Sequence, residues 1–474
     1  MCRVNKPTTR CFRTRFGRSM VFVIGIVTLY MTIFSHGDPI PKQDPSSVQD
    51  TKGMLMKQYS QDFFFNFERN FSSHYFQELN ENPLNSLVNS PLSTFIPMSM
   101  LSYGARGETR KDYLNAIGLR ENEIPIARKG FQNFFEQMTK YNVDITTKMF
   151  VQEEFPLDPT FQDLSQTAFK SEIEDVEADE GFIDTDIISD WITKHTNGTI
   201  LNHFRSMEIG CDTAISLANT IYHNGAWKVG FDKSRTKLHD FYAFGDSPVR
   251  VPTMNTIGLF PHGRIDEIGA KFIELPFKSD SKDQEMSMFI IMAEELDKWK
   301  EMILKLKNMD LKKLLNSVEE ELDVYLPKFT LKNTHYLDHP FQSMARKRIV
   351  NVTDISGIMK LPDSAIISYA LSKSMVNVDE TGHRAAQLSM IAYSTRNCNI
   401  CDIYTNQLHS CRTVAAARES ECNTKEFTSS KRSTRAVLPE FRINGPFVAI
   451  IMTKGNVFTD IFSVNFSGST LYFS

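Results

Sequence analysis

The chain has 474 residues, of which 41% are apolar and 23% charged, with a formal net charge of −4. That length and balance allow one large globular domain or three small ones and exclude a disordered or fibrous chain. Six basic residues (Arg3, Lys6, Arg10, Arg13, Arg15 and Arg18) fall in the first 37 positions with no acidic residue among them, and removing those six from a net −4 leaves −10 on the rest. A net acidic body excludes general nucleic-acid binding.

The N-terminus reads in three parts: a basic lead from Met1 to Ser19, an apolar run of 15 residues from Met20 to Phe34, and small residues at Ser35-His36-Gly37. This is the layout of a secretory signal peptide over residues 1–37, cleaved after Gly37. The apolar run is short for a membrane span, although an uncleaved signal anchor is the alternative. No later segment approaches such a span, so no membrane association is expected after cleavage, and the product is expected to be secreted. Four N-x-S/T sequons, at Asn70, Asn197, Asn351 and Asn465, fit an extracellular glycoprotein, with some and not all of them occupied.

Residues 38–58, with Pro39, Pro41 and Pro45, read as a flexible lead-in to a single domain over 59–474. From Gln61 the aromatic and apolar residues Phe63, Phe64, Phe65, Phe67, Phe71, Tyr75, Phe76 and Leu79 recur at roughly helical spacing. Ser90 is placed to cap a helix that Pro91 opens, and Pro97 is expected to kink it. Helical spacing returns over 182–203. Strands are expected at 215–222, 271–277, 287–292 and 322–332. The amphipathic stretch 295–315 carries Lys298, Lys300, Lys305, Lys307, Lys312 and Lys313. These lysines read first as a solvated helix face and second as a weak glycosaminoglycan site. Helices and strands alternate without a regular βαβ rhythm, which favours an α+β fold.

No enzyme motif is present: there is no GxSxG elbow, no HExxH and no phosphate-cradling GxxxxGK[ST]. Gly245-Asp246-Ser247-Pro248 imitates part of a protease motif, but it reads as a turn. No metal cluster or cofactor site stands out in the body, and none is expected.

A series of motifs in fixed order carries the functional signal. They are Asn89-Ser90-Pro91-Leu92-Ser93, then Met100 to Thr109 (MLSYGARGET), Leu217 to Trp227 followed by Phe231-Asp232, Phe272 to Phe277 (FIELPF), Val324 to Phe329 (VYLPKF), and Asp354 to Ile358 (DISGI). The series ends in Ser374–Ala386, SMVNVDETGHRAA, and an apolar C-terminal strand at Phe447–Ile451. Together they resemble the serpins, the serine protease inhibitor superfamily, from about Tyr59 to Phe466. The resemblance implies a large central mixed sheet, two smaller sheets, eight to nine helices and an exposed reactive-centre loop, here about 380–438. It also implies a monomer that is no enzyme and traps a protease by inserting the cleaved loop into the central sheet.

In the family register the hinge is Glu380, Thr381, Gly382, His383, Arg384, Ala385 and Ala386. Gly382 reads as a joint, because glycine permits backbone angles that other residues avoid. The scissile bond falls between Arg396 and Asn397, and an arginine bait suits a trypsin-like protease. On insertion His383, Ala385, Gln387 and Ser389 would point inward. The family prefers a small residue at 383 and glutamate at 384. His383 and Gln387 are therefore expected to hinder insertion, at about 1–3 kcal/mol for each buried group left unpaired. A histidine buried there would also have to be neutral. That leaves open a non-inhibitory serpin acting as an extracellular binding or carrier protein or as a protease substrate. Ser90, Ser93 and Asn219 match the polar shutter beneath the central sheet, with Ser372 where the family usually has histidine.

From Arg396 to Phe441 is a step of 45 positions, an unusually long stretch, and it holds Cys398, Cys401, Cys411 and Cys422. In a secreted chain these read as two disulfides of undetermined pairing, ahead of a zinc site or a retained intron. Discounting the insert moves the bait to Arg432 or Arg435, which keeps an arginine.

Overall fold

The computed structural model describes residues 45–466, except 80–83, 180–181, 202–212, 244–246, 307–308, 316, 345–352, 362–364, 396–437 and 455–459. Eight α-helices occur among the described residues: α1 (Pro45–Leu79), α2 (Pro91–Gly104), α3 (Gly107–Ile117), α4 (Ile124–Met138), α5 (Pro159–Phe169), α6 (Thr185–His195), α7 (Trp299–Leu306) and α8 (Asp338–Met344). Helix α1 begins at Pro45, so much of the expected flexible lead-in is helical. Proline is tolerated at a helix start, and no later residue of the lead-in breaks the turn. Pro97 lies inside α2, which continues through it to Gly104.

Six strands form the central sheet: β2 (Val143–Gln152), β3 (Glu172–Val176), β6 (Thr213–Ala226), β12 (Phe329–Tyr336), β13 (Ala365–Val378) and β14 (Gly382–Thr395). Their order is β12-β13-β14-β6-β2-β3, and only the β2–β3 pair is parallel. A second sheet of nine strands contains β1 (Leu87–Asn89), β7 (Lys237–Phe241), β8 (Val249–Ile265), β9 (Ala270–Pro276), β10 (Met286–Ala293), β11 (Val318–Pro327), β15 (Glu440–Arg442), β16 (Phe447–Thr453) and β17 (Asp460–Phe466). The smaller sheets are continuous because β8, 17 residues long, pairs with β7, β9 and β11 along its length. A two-stranded ribbon, β4 (Ala178–Asp179) and β5 (Phe182–Ile183), completes the strands.

Two motifs separated by about 250 positions explain each other. Gly357 donates its N–H to Gly104 O at 3.0 Å, and Arg106 donates to Asp354 O at 2.9 Å. A Cβ on Gly104 would stand 2.1 Å from Ile358 Cγ1, and one on Gly357 would stand 2.2 Å from the Arg106 guanidinium. Both glycines are there because the chains touch.

The segment read as the start of an exposed loop is a strand. From Gly382 to Thr395 it pairs with β13 on one side and β6 on the other. Its backbone ladder is thereby satisfied on both edges, and Leu388, Met390, Ile391 and Tyr393 are fully buried. Each such side chain contributes roughly 1.5–3 kcal/mol.

Candidate functional site at the inserted strand

Strand alternation sends β14's side chains to two different interiors. Ala386, Leu388, Met390 and Ala392 pack beneath α6 with Ile188, Trp191 and Ile192. Ala385, Ile391 and Tyr393 join the main core, and His383, Gln387 and Ser389 point the same way into buried polar surroundings. Arg384 is exposed.

The middle of the strand meets α2. Gln387 Oε1 accepts from the backbone N–H of Ser90, and Gln387 Nε2 donates to Ser90 O at 3.0 Å. Ser389 Oγ lies 2.9 Å from Thr94 Oγ1, which donates to the Tyr75 hydroxyl at 3.0 Å. Burial pushes Tyr75 up to about 12, against the opposing pull of the Thr94 and Ser372 hydroxyls. Gln387 is therefore not an unpaired group. It supplies an acceptor for the Ser90 N–H at the start of α2 and donates a second bond to Ser90 O, and the penalty expected from it is absent. Ser90 occupies the N-cap position with extended backbone, but its hydroxyl makes no capping bond.

The shutter residues gather at this point. Ser93 Oγ donates to Asn219 O at 3.3 Å, and Asn219 Nδ2 donates to Thr147 Oγ1 at 2.8 Å. Ser372 faces Ser389 across the ladder on one side and His335 on the other. His335 was not singled out from the sequence. It sits on β12, partly buried, with its basicity lowered by burial and Nε2 unpartnered among the described residues. An imidazole thus stands beside Ser372, one strand over. The alternation Phe329, Leu331, Asn333, His335 on one face of β12 was the available signal.

At the far end, the hydroxyls of Tyr393 and Tyr113 bond to each other, and Ser394 Oγ lies 3.1 Å from Thr213 Oγ1. Burial raises Tyr393 well above its ordinary value.

At the Gly382 end, two remote motifs converge on the hinge. Trp227 N donates to Thr381 O at 3.0 Å and Phe231 N to Glu380 O at 3.1 Å, while Trp227 Nε1 donates to Asp379 O at 2.9 Å. Glu380 accepts from Thr236 Oγ1 at 2.9 Å and pairs with Lys328 Nζ at 3.1 Å. Burial pushes the Glu380 carboxyl up, but its hydrogen bonds and Lys328 outweigh that and hold it below the ordinary value. Gly382 is not in the left-handed region. It is required because a Cβ there would fall 1.9 Å from Gly225 O, a clash between backbones. The joint is one of close approach rather than of backbone angle.

His383 lies beyond it, 3% exposed, with Nε2 2.9 Å from His223 Nδ1. Its ring stacks 4.4 Å from Phe277, centroid to centroid. Burial, then the neighbouring His223, holds His383 well below its ordinary basicity, so it is neutral in this position. The sequence reading missed His223.

Arg396, Asn397, Arg432 and Arg435 lie outside the described residues, as do Cys398, Cys401, Cys411, Cys422, Asn351 and the segment 1–37. Asn70 and Asn197 are exposed. Asn465 is fully buried in β17, so that sequon has no room for a glycan in the folded chain. Among the candidate glycosaminoglycan lysines, Lys298 and Lys305 pair with Glu301 and Lys313 pairs with Glu267. Such pairing fits a solvated face. No described helix is long and apolar enough to cross a membrane.

A polar-faced strand thus lies at the centre of a six-stranded sheet, held at its Gly382 end by Trp227, Lys328 and a glycine contact. The serpin family model, described as serine protease inhibitor, matches residues 67–459, and the chain belongs to that family. It is 27% identical over 331 residues to antichymotrypsin-2 of Bombyx mori, covering 68% of this chain and 86% of that protein. It is 27% identical over 325 residues to antitrypsin of the same organism, covering 67% and 81%. Among solved structures, cleaved serpin 42Da superposes with a TM-score of 0.70 at 21% identity, covering 86% of this chain and 98% of that one. A loop-inserted, cleaved ovalbumin mutant gives 0.64 at 18% identity, covering 84% and 98%.

Proposed function

We propose that this serpin is a secreted suicide-substrate inhibitor of a trypsin-like serine protease, with Arg396 as bait, or Arg432 or Arg435 if the insert shifts the register. One observation carries the reading. Three inward polar side chains of residues 382–395 meet matching partners: Gln387 meets the backbone of Ser90, Ser389 meets Thr94, and Tyr393 meets Tyr113. A segment that fits the sheet this well enters it with a large gain, and that gain is what drags an acylated protease out of shape.

Incubation with trypsin followed by denaturing electrophoresis is the test. A covalent adduct that survives boiling is expected, and it should disappear in one of Arg396→Ala, Arg432→Ala or Arg435→Ala. Cleavage without an adduct would overturn the reading. Protein recovered from culture medium should begin at or near Asp38, and unreduced peptide mapping should pair Cys398, Cys401, Cys411 and Cys422 among themselves.

A second reading, a non-inhibitory binding or carrier serpin or a sacrificial substrate, is favoured by a different observation. Strand β14 lies in the sheet of a continuous chain, and 42 residues separate Thr395 from Leu438. Such a connection reaches about 140 Å when extended, against about 45 Å for β14. An uncut chain can therefore hold the strand inserted, which leaves nothing to drive trapping. Equal melting temperatures for intact and cleaved protein would decide for it. A cleaved form melting well above the intact one would decide for inhibition.

A further inference from the structure

The Gly382 end of β14 holds a group that the family pattern does not ask for. His383 and His223 face each other across the β14–β6 ladder, offset by two residues, with one hydrogen bond between Nε2 and Nδ1. Both side chains are at most 3% exposed. Phe277 and Trp227 close over the His383 ring at 4.4 and 6.3 Å. Room for it exists only because residue 225 is glycine: a Cβ there would stand 2.8 Å from His383 Cε1. His383 Nδ1 is buried with no partner among the described residues.

Among the described residues no charged side chain bonds to this pair, and Lys228 and Lys278, next to Trp227 and Phe277, are exposed. On β14, Arg384 is exposed on the other face of the strand. Beyond β13, Asp379 accepts from Thr381 and Gly382, and Glu380 is held by Lys328 and Thr236. On β2, Val143 lies opposite His223 and Asp144 is exposed. Across the core, Glu274 is bound by Lys454 and Ser287. A proton added to either imidazole would be a buried charge without a counter-ion, and a second would set two N–H groups against each other.

We propose that the His223–His383 pair is a pH-sensitive latch, which holds the inserted strand at neutral pH and releases its Gly382 end in acid. The proposal rests on reading 382–395 as a strand that enters the sheet in function. A free histidine titrates near 6.5, whereas burial holds His223 at about 4 and pushes His383 well below 6.5. The expelled strand therefore binds protons that the inserted strand cannot. The latch is complete above about pH 6.5 and weakens as pH falls towards 4. For His383 alone the inserted state loses up to about tenfold per pH unit, or about 30-fold at pH 5.

The test uses full-length protein, intact and cut in the loop by trypsin, melted at pH 7.5 and pH 5. The gap between cleaved and intact melting temperatures should shrink at pH 5 in the natural sequence and stay constant in His383→Thr. No gap at pH 7.5 would mean that cleavage drives no insertion, which overturns the inhibitor reading on which the latch rests. A gap that does not respond to pH, or responds equally in His383→Thr, would refute the latch alone. If His383→Thr does not fold, imidazole titration by NMR in the cleaved protein decides: an ordinary value for His383 overturns the latch, and a neutral ring at pH 5 supports it.

Discussion

The middle and the Gly382 end of β14 both bury polar side chains, yet they obey opposite logic. Gln387 spends both ends of its amide on the backbone of Ser90, where the start of α2 needs an acceptor for its N–H. His383 spends one nitrogen on His223 and leaves the other without a partner among the described residues. The first arrangement is indifferent to pH and the second is not. A buried polar residue in an inserting strand is therefore neither a defect nor an asset by type. Its partners decide.

The largest effect that could break this comparison lies at the hinge. Gly382→Ala places a Cβ against the backbone of Gly225, which no rotamer can relieve, and should cost the inserted form about 3 kcal/mol or more. Calorimetry of the cleaved protein should show that loss, while the intact protein with its loop expelled should be little affected. An unchanged cleaved form would mean that the strand does not seat against Gly225.

Next comes the middle. Gln387→Ala strands the N–H of Ser90 in the interior, while Ser90 O keeps its bond from Ser93 N, and should destabilise the cleaved form by about 1–3 kcal/mol, equally at pH 7.5 and pH 5. A pH-dependent loss would erase the contrast between the two regions. Tyr393→Phe removes one hydroxyl of a buried pair and should cost about 1 kcal/mol in denaturant titration of the cleaved form.

The smallest expected change at neutral pH sharpens the comparison most. Lys328→Met removes the cation from a pair that is one-third exposed on the lysine side, for a loss of about 1 kcal/mol. Glu380 lies below its ordinary 4.5, so the stability it supplies is complete above that value and is lost as pH falls through its folded value. Between pH 6.5 and 4.5 the histidines should thus titrate without it. An acid loss in that window that vanishes in Lys328→Met would assign the effect to the wrong group.

Glycosylation offers an independent check on burial. Mobility shifts in secreted protein should respond to Asn70→Gln or Asn197→Gln and never to Asn465→Gln, whose side chain is enclosed in β17.

The sequence by itself determined the family and most of the frame. Motifs such as MLSYGARGET and DISGI, hundreds of residues apart, are tight because Gly104 and Gly357 touch, and such constraints leave letters that can be read. Alternation along 383–389 gave the inward set, because a strand has a period of two whatever surrounds it. Only the tertiary structure decided what those side chains meet. Nothing local to Gln387 announces the backbone of Ser90, 297 positions earlier, and nothing local to His383 announces His223 or the space left by Gly225. Pairing across a sheet joins residues by register rather than by distance along the chain, so the energetic sign of a buried polar group appears only once the strands are side by side.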